Sequence, residues 1–408
     1  MNSENRTEII STDVVATECI TLEVLASQFV DEHRRWLNPS IETYALTYPE
    51  YAVEIRESFP VLIAMEQWKG NQEFSSLRRQ LPEPASIKQL GDCHITREIS
   101  RNRTAIVYEA VQGKWNRRVL VKLLPWKSEM TPRWQERFER EARLVARLRH
   151  PNIVSFYKSG EDQGYCYSVT QQVDGVGLDQ IIGYFADETQ SSQKNTGKQK
   201  CRDQTAAIAC SLQENRWRAF TGIALQVADA LRYAHSRETL HNDLKPENIL
   251  IDAAGHVWVN NFSLAQFAEG ALKQQSAKTL SYQAPERFQG QNHEQSDIYS
   301  LGMVLYELAT LSLAFPFSNS SELVEQILNQ EPLRPRALNP SIPIDFESII
   351  LNCITKSQQQ RYQSVEALSL DLVRLIHGKS VKRRTSSPGV FNRKWFPFWN
   401  RNSGQQAK

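Results

Sequence analysis

The sequence predicts an α+β protein of two unequal lobes: a small one of five antiparallel strands with one helix, over a larger and mainly helical one. Three observations carry this. Between 94 and 171, short β-rich runs are separated by turn residues. One strongly amphipathic segment, 133–149, interrupts them after the third run. Beyond Gly175 the apolar spacing becomes helical, with long apolar segments at 217–235 and 297–311.

Taken in order, residues 1–20 are polar and are expected to be disordered. Residues 21–80 form a helical accessory region: Leu22, Leu25, Phe29, Val30 and Trp36 recur at helical intervals, and Pro49, Pro60 and Gly70 punctuate the remainder of the region. These helices should pack on each other or on a neighbour. A proline-rich linker, 81–91, leads into the lobed region 92–377. Its small lobe, 92–175, holds the runs "HITREIS", "AIVYEAV", "RRVLVKLL", "NIVSFYKSG" and "YCYSVTQQV". The interrupting helix places Phe138, Ala142, Val145 and Leu148 on one stripe. The large lobe, 176–377, contains a hydrophilic stretch at 185–215, read as a surface insertion, and a helix capped by Ser296.

Hydrophobic residues make up 40% of the 408, with no apolar run long enough to cross a bilayer. The first twenty residues lack a secretory pattern, so a cytoplasmic protein is expected. The six cysteines show no CxxC and no clustering with histidine, which reads as reduced structural thiols. Net charge is +2, but from 378 onward eight basic residues meet no acidic one, leaving the remainder at −6. That balance argues against a nucleic-acid partner and sets the tail 378–408 apart.

The stretch "HNDLKPENIL" (241–250), with "VLVK", "SYQAPERF" and "QQQRYQS" in this order, resembles the eukaryotic-type serine/threonine protein kinases found in bacteria. The resemblance spans about 92–377 and implies a bilobal protein kinase-like fold, ATP and Mg²⁺ as cofactors, and a protein substrate or partner. Phosphoryl transfer consists mostly of positioning and charge neutralisation. The resemblance assigns Lys122 to the α- and β-phosphates and Glu141 to its ion pair. It assigns Asp243 to the base that takes the substrate hydroxyl proton, Lys245 to the moving phosphoryl group, and Asn248 to the second magnesium. Ser100, Ala105, Val107, Leu120, Thr170 and Leu250 fall in the nucleotide-binding pocket. Glu286 should pair with Arg361, and Asp297 should accept hydrogen bonds from the backbone of the catalytic loop.

The departures from the family pattern cluster at the nucleotide site. Where a glycine-rich phosphate loop is expected stand Ser100-Arg101-Asn102-Arg103-Thr104-Ala105, whose side chains hold the backbone away from a phosphate. Leu120 stands where a small alanine usually roofs the adenine; overpacking of that kind costs about 1–3 kcal/mol. Asn242 replaces the arginine that reads a phosphorylated activation loop, which argues against switching through Ser276, Thr279 or Ser281. Asn261, in "NNFSLA", replaces the aspartate that bridges Mg²⁺ to the phosphates, and Ser263 replaces the glycine two residues on. Magnesium prefers carboxylate, so Asn261 and Asn248 form a weak metal pair. The loss is about 3–6 kcal/mol of transition-state stabilisation, or ~10²–10⁴ in rate. The expectation is a pseudokinase acting as a binding or regulatory module. An active ATP- and Mg²⁺-dependent kinase is the alternative, and nucleotide transfer through Asp243 and Lys122 a third reading.

The tail interleaves basic residues with Phe391, Trp395, Phe396, Phe398 and Trp399, a composition suited to peripheral contact with an anionic membrane surface or to a partner.

Overall fold

The structure, a computed structural model, describes residues 21–34, 39–60, 62, 87–101, 105–113, 115–127, 142–191, 204–262, 277–317 and 319–381. The chain divides into two compact units, Met1–Arg79 and Gln80–Lys408.

In the first unit, helices α1 (Leu22–Arg34) and α2 (Ile41–Thr47) precede a third, α3, over 52–60. Ser40 caps α2 by accepting from the Thr43 N–H, and Pro49 opens a short 3₁₀ turn. The helical spacing read from the sequence becomes a small core of Leu25, Phe29, Ala45, Ile55 and Phe59. Phe29 lies 4.5 Å from Phe59 and meets Tyr44 edge-on. These helices pack on one another; Trp36 lies outside the described residues.

The second unit begins with an antiparallel sheet. Its strands are β1 (Gln89–Leu90), β2 (Cys93–Arg101), β3 (Ile106–Gln112), β4 (Arg117–Lys127), β5 (Phe156–Asp162) and β6 (Tyr165–Gln171), in the order β1-β2-β3-β4-β6-β5. The five expected strands are all present. The sheet has six because "QLGDC" doubles back at Gly91, whose φ of +57° permits the turn. Any Cβ at Gly91 would collide with the Tyr167 hydroxyl.

That close approach reflects strong curling of the sheet: its two edges meet. The Gly91 N–H donates to Asp162 Oδ2 at 2.7 Å, Gln163 Nε2 donates to the Gln89 carbonyl at 2.8 Å, and the Lys158 ammonium pairs with Asp92. Inside the curl, Leu90, Cys93, Ile106, Tyr108, Val119, Val121, Leu123 and Val169 form the core. The alternation of β3 and β4 then turns Val107, Leu120 and Lys122 to the opposite face. Of the predicted 133–149 helix, 142–146 is described and helical (α4), with Ala142, Val145 and Leu148 buried; Phe138 lies outside.

The large lobe carries a three-stranded sheet of β7 (Gly175–Gly177), β8 (Ile249–Asp252) and β9 (Val257–Val259). Its helices are α5 (Leu178–Ser191), α6 (Gln204–Gln213), α7 (Arg216–His235), α8 (Ala277–Leu280), α9 (Glu294–Thr310), α10 (Ser320–Asn329), α11 (Pro335–Leu338), α12 (Ile344–Cys353) and α13 (Val365–Ile376). Helix α9 is buried along nearly its whole length, as its apolar sequence requires. Gly302 lets α12 approach it closely, since a Cβ there would meet Cys353 and Ile354.

Two expectations change. The stretch 185–215 is not simply a surface insertion: Phe185 is buried in α5, and α6 buries Ala206, Ile208, Ala209 and Leu212. A few apolar residues within a polar sequence supply that buried stripe; residues 192–203 lie outside the described part. Ser296 is not the cap of α9, which starts two residues earlier. As the third helical residue, Ser296 accepts from the His293 N–H and donates to Glu286. Residues 1–20 and the tail beyond 381 also lie outside the described residues. Among the described residues, no helix is long and apolar enough to cross a membrane.

Candidate active site

The loop between α7 and β8 is held by one buried carboxylate. Asp297, at the start of α9, accepts the N–H of His241 at 2.8 Å and that of Asn242 at 2.9 Å. Burial disfavours its charge, but His235, His241 and these amides together hold the carboxyl below the usual range. Asp297 thus does what the resemblance assigns to it.

His241 sets the next turn. Its Nδ1 accepts from the Asp243 N–H at 3.2 Å, which leaves Nε2–H to donate to the Asn260 carbonyl at 2.9 Å. Burial lowers its pKa, in keeping with this neutral tautomer. Phe262 lies beside the ring at 4.6 Å between centroids, so the catalytic loop and the 260–262 segment share one packed histidine.

On this frame the predicted trio comes together. Lys245 Nζ stands 3.1 Å from Asp243 Oδ2. Asn248 Nδ2 donates to the Asp243 carbonyl at 2.7 Å and to its Oδ2 at 3.0 Å. Asn261, at φ +60°, donates its Nδ2 to Asn248 Oδ1 at 2.8 Å. Glu247, beside Lys245, pairs at 3.3 Å with Lys278.

Register places the small-lobe residues that the resemblance assigns to a nucleotide pocket. Leu120 lies opposite Glu109 and Thr170, and Lys122 opposite Val107 and Ser168, so these share one face of the sheet. Val107, Leu120, Lys122, Thr170 and Leu250 are each half-buried. Burial lowers the Lys122 ammonium; Asp243 pulls the other way and Lys245 adds to the lowering. Glu141 lies outside the described residues. At the same face Glu109 binds Arg118, Gln172 and Arg97, contacts that hold its carboxyl down at about 2.

The segment 100–105 is described at its two ends. Ser100 pairs with Val107 and Arg101 with Ile106, so strand pairing includes the first two residues of this segment. Arg101 is engaged by Glu98 through two 2.7 Å bonds, and Ala105 is buried. Residues 102–104, like Ser263 and Ser276, lie outside the described part. Asn242 is buried at φ +65°, with neither polar atom of its side-chain amide partnered among the described residues; Arg287 donates to its backbone carbonyl. Ser281 is buried as well.

Asn248 and Asn261 offer a divalent cation amide oxygens and no carboxylate. Magnesium is ligated by oxygen, preferably anionic, yet Asn248 Oδ1 already accepts the Asn261 amide and Asn261 turns a nitrogen toward it.

Sequence reading missed His235, His241 and Asn260 as framework. His241 begins the recognised motif, and His235 closes the apolar segment "YAH" six residues earlier. Glu286 and Arg361 pair as expected, at 2.8 Å and fully buried.

Comparison with known proteins agrees with this architecture. The protein kinase domain model matches residues 93–396. The serine/threonine-protein kinase PrkC of Bacillus subtilis is 30% identical over 286 residues, covering 69% of this chain and 40% of that protein. PknB of Mycobacterium leprae is 30% identical over 282 residues, covering 67% and 41% respectively. The chain thus spans about two-fifths of the length of these relatives. Among solved structures, the PknI kinase domain of Mycobacterium tuberculosis superposes with a TM-score of 0.51 at 20% identity, covering 72% of this chain and 99% of that one. That likeness supports the bilobal fold. With three quarters of its length matched by the domain model, the chain belongs to the protein kinase family, in the serine/threonine group of these bacterial relatives.

Proposed function

We propose that this kinase domain transfers phosphate weakly or not at all, a pseudokinase that works by binding a protein partner in signalling. The family uses ATP and Mg²⁺ in general; here both are expected to bind weakly or not at all. One observation carries the reading: the two side chains that should present oxygens to magnesium, Asn248 and Asn261, are hydrogen-bonded to each other. The paired strands at Ser100–Arg101 and the leucine at 120 act in the same direction by denying a phosphate cradle and crowding the adenine roof. Peripheral contact of the basic aromatic tail with an anionic membrane belongs to the same proposal, resting on composition alone.

A working kinase is the second reading, because Asp243 and Lys245 keep a 3.1 Å pairing beside Asn248. Incubation with radiolabelled ATP and Mg²⁺ separates the two. The pseudokinase reading expects no label above that of Asp243→Ala; label that disappears in Asp243→Ala would establish the working kinase. Adenylate rather than phosphate on protein would favour nucleotide transfer.

A further inference from the structure

Asp243, Asn248 and Asn261 form a row in which every contact runs from donor to acceptor. Asn248 Nδ2 faces two oxygens of Asp243, and this fixes its Oδ1 toward Asn261, whose Nδ2 donates to it. The backbone closes alongside: the Asn260 N–H donates to the Asn248 carbonyl at 2.9 Å, and the Asn261 N–H to Asn260 Oδ1 at 2.7 Å.

An aspartate at 261 would break this row whichever way Asn248 turned. A side-chain amide has one donating end and one accepting end. With Nδ2 kept on Asp243, Oδ1 would face the new carboxylate. Turned over, Oδ1 would face the Asp243 carbonyl and carboxylate instead. Two oxygens would always oppose each other, and a cation between them would relieve the conflict. Asparagine at 261 removes the conflict, because its amide supplies a hydrogen where the cation would stand.

We propose that the Asn261 side-chain amide replaces a divalent cation in holding the catalytic loop against the 260–262 segment, so that the site is complete without metal. Asn261 is here a positioning residue. The inference rests on the reading of this cleft as not built for metal-dependent transfer, and its test uses no nucleotide. That reading fails on phosphorylation sensitive to Asp243→Ala, whereas this inference fails on metal dependence of the fold.

The experiment is thermal melting of the full chain with EDTA, MgCl₂ or MnCl₂ as the added probe. The wild-type melting temperature is expected to be the same in all three. Asn261→Asp is expected to melt roughly 3–6 °C lower in EDTA and to regain most of that on adding metal. Asn261→Ala, which loses the bond without adding charge, should melt lower in every buffer and regain nothing. A metal-dependent rise in the wild type overturns the proposal, as does an Asn261→Asp variant that melts low with and without metal. Should Asn261→Asp fold in no buffer, the wild-type arm decides: a flat response supports the amide, a rise refutes it.

Discussion

Asp297 Oδ2 accepts both His235 Nε2–H and the His241 backbone N–H, each at 2.8 Å, so one buried carboxylate joins the end of α7 to the start of the catalytic loop. Burial pulls the His235 pKa down, but Asp297, with Glu294 and Glu366 nearby, more than offsets this and leaves it raised above 6.5. The charged form is therefore favoured by folding.

A raised histidine stabilises fully below its unfolded value and loses that contribution as pH climbs through the folded value. The wild type should therefore lose melting temperature as pH rises above about 6.5, and His235→Gln should show a flatter profile there. Coincident profiles for the two proteins would refute the assignment.

Glu286 and Arg361 are buried together, with Ser296 donating to the same carboxylate. Arg361→Met leaves an unpaired buried charge, which costs about 3–5 kcal/mol and should lower the melting temperature by roughly 10 °C. Replacing both, as Arg361→Met with Glu286→Leu, should recover part of the loss. Calorimetry that finds the double variant no better than the single one contradicts this assignment.

At the sheet edges, hydrogen bonding to Lys158 holds Asp92 down at about 2. A depressed carboxylate stabilises above its unfolded value near 3.8 and loses this as pH falls toward 2. Because the pair is about one-third exposed, its worth is at most about 1 kcal/mol. Lys158→Met should move the midpoint of acid unfolding, followed by circular dichroism, to higher pH. An unmoved midpoint would show that the edges close without it.

Leu120 shares one face of the sheet with Thr170 and Lys122. If it crowds the adenine roof, Leu120→Ala should tighten metal-free ATP binding by roughly tenfold, the equivalent of relieving about 1.4 kcal/mol of overpacking. Titration calorimetry giving the same or weaker affinity would move the obstruction to residues 100–105.

Much of the fold was legible along the chain. Periodicity marked the five main strands, the long helices α7 and α9, and the helices of the first unit, since burial on one face or on all sides leaves a repeating signature. The motif residues Asp243, Lys245, Asn248 and Asn261 were legible by order and spacing. The edge strand at Gln89–Leu90 was not, being two residues defined by a turn and a partner. Helix α6 was hidden because its short buried face, Ala206, Ile208, Ala209 and Leu212, lies within a polar composition.

The sequence by itself determined the family, the two lobes and the identity of each departure at the nucleotide site, because these reside in residue type and spacing. The tertiary structure alone decided which groups the departing side chains meet. That the Asn261 nitrogen meets the Asn248 oxygen, that strand pairing reaches Arg101, and that Asp92 finds Lys158 across the curled sheet all depend on groups distant in the chain. Hydrogen bonds and ion pairs act over about 3 Å and with fixed direction, and only the folded chain sets those distances and directions.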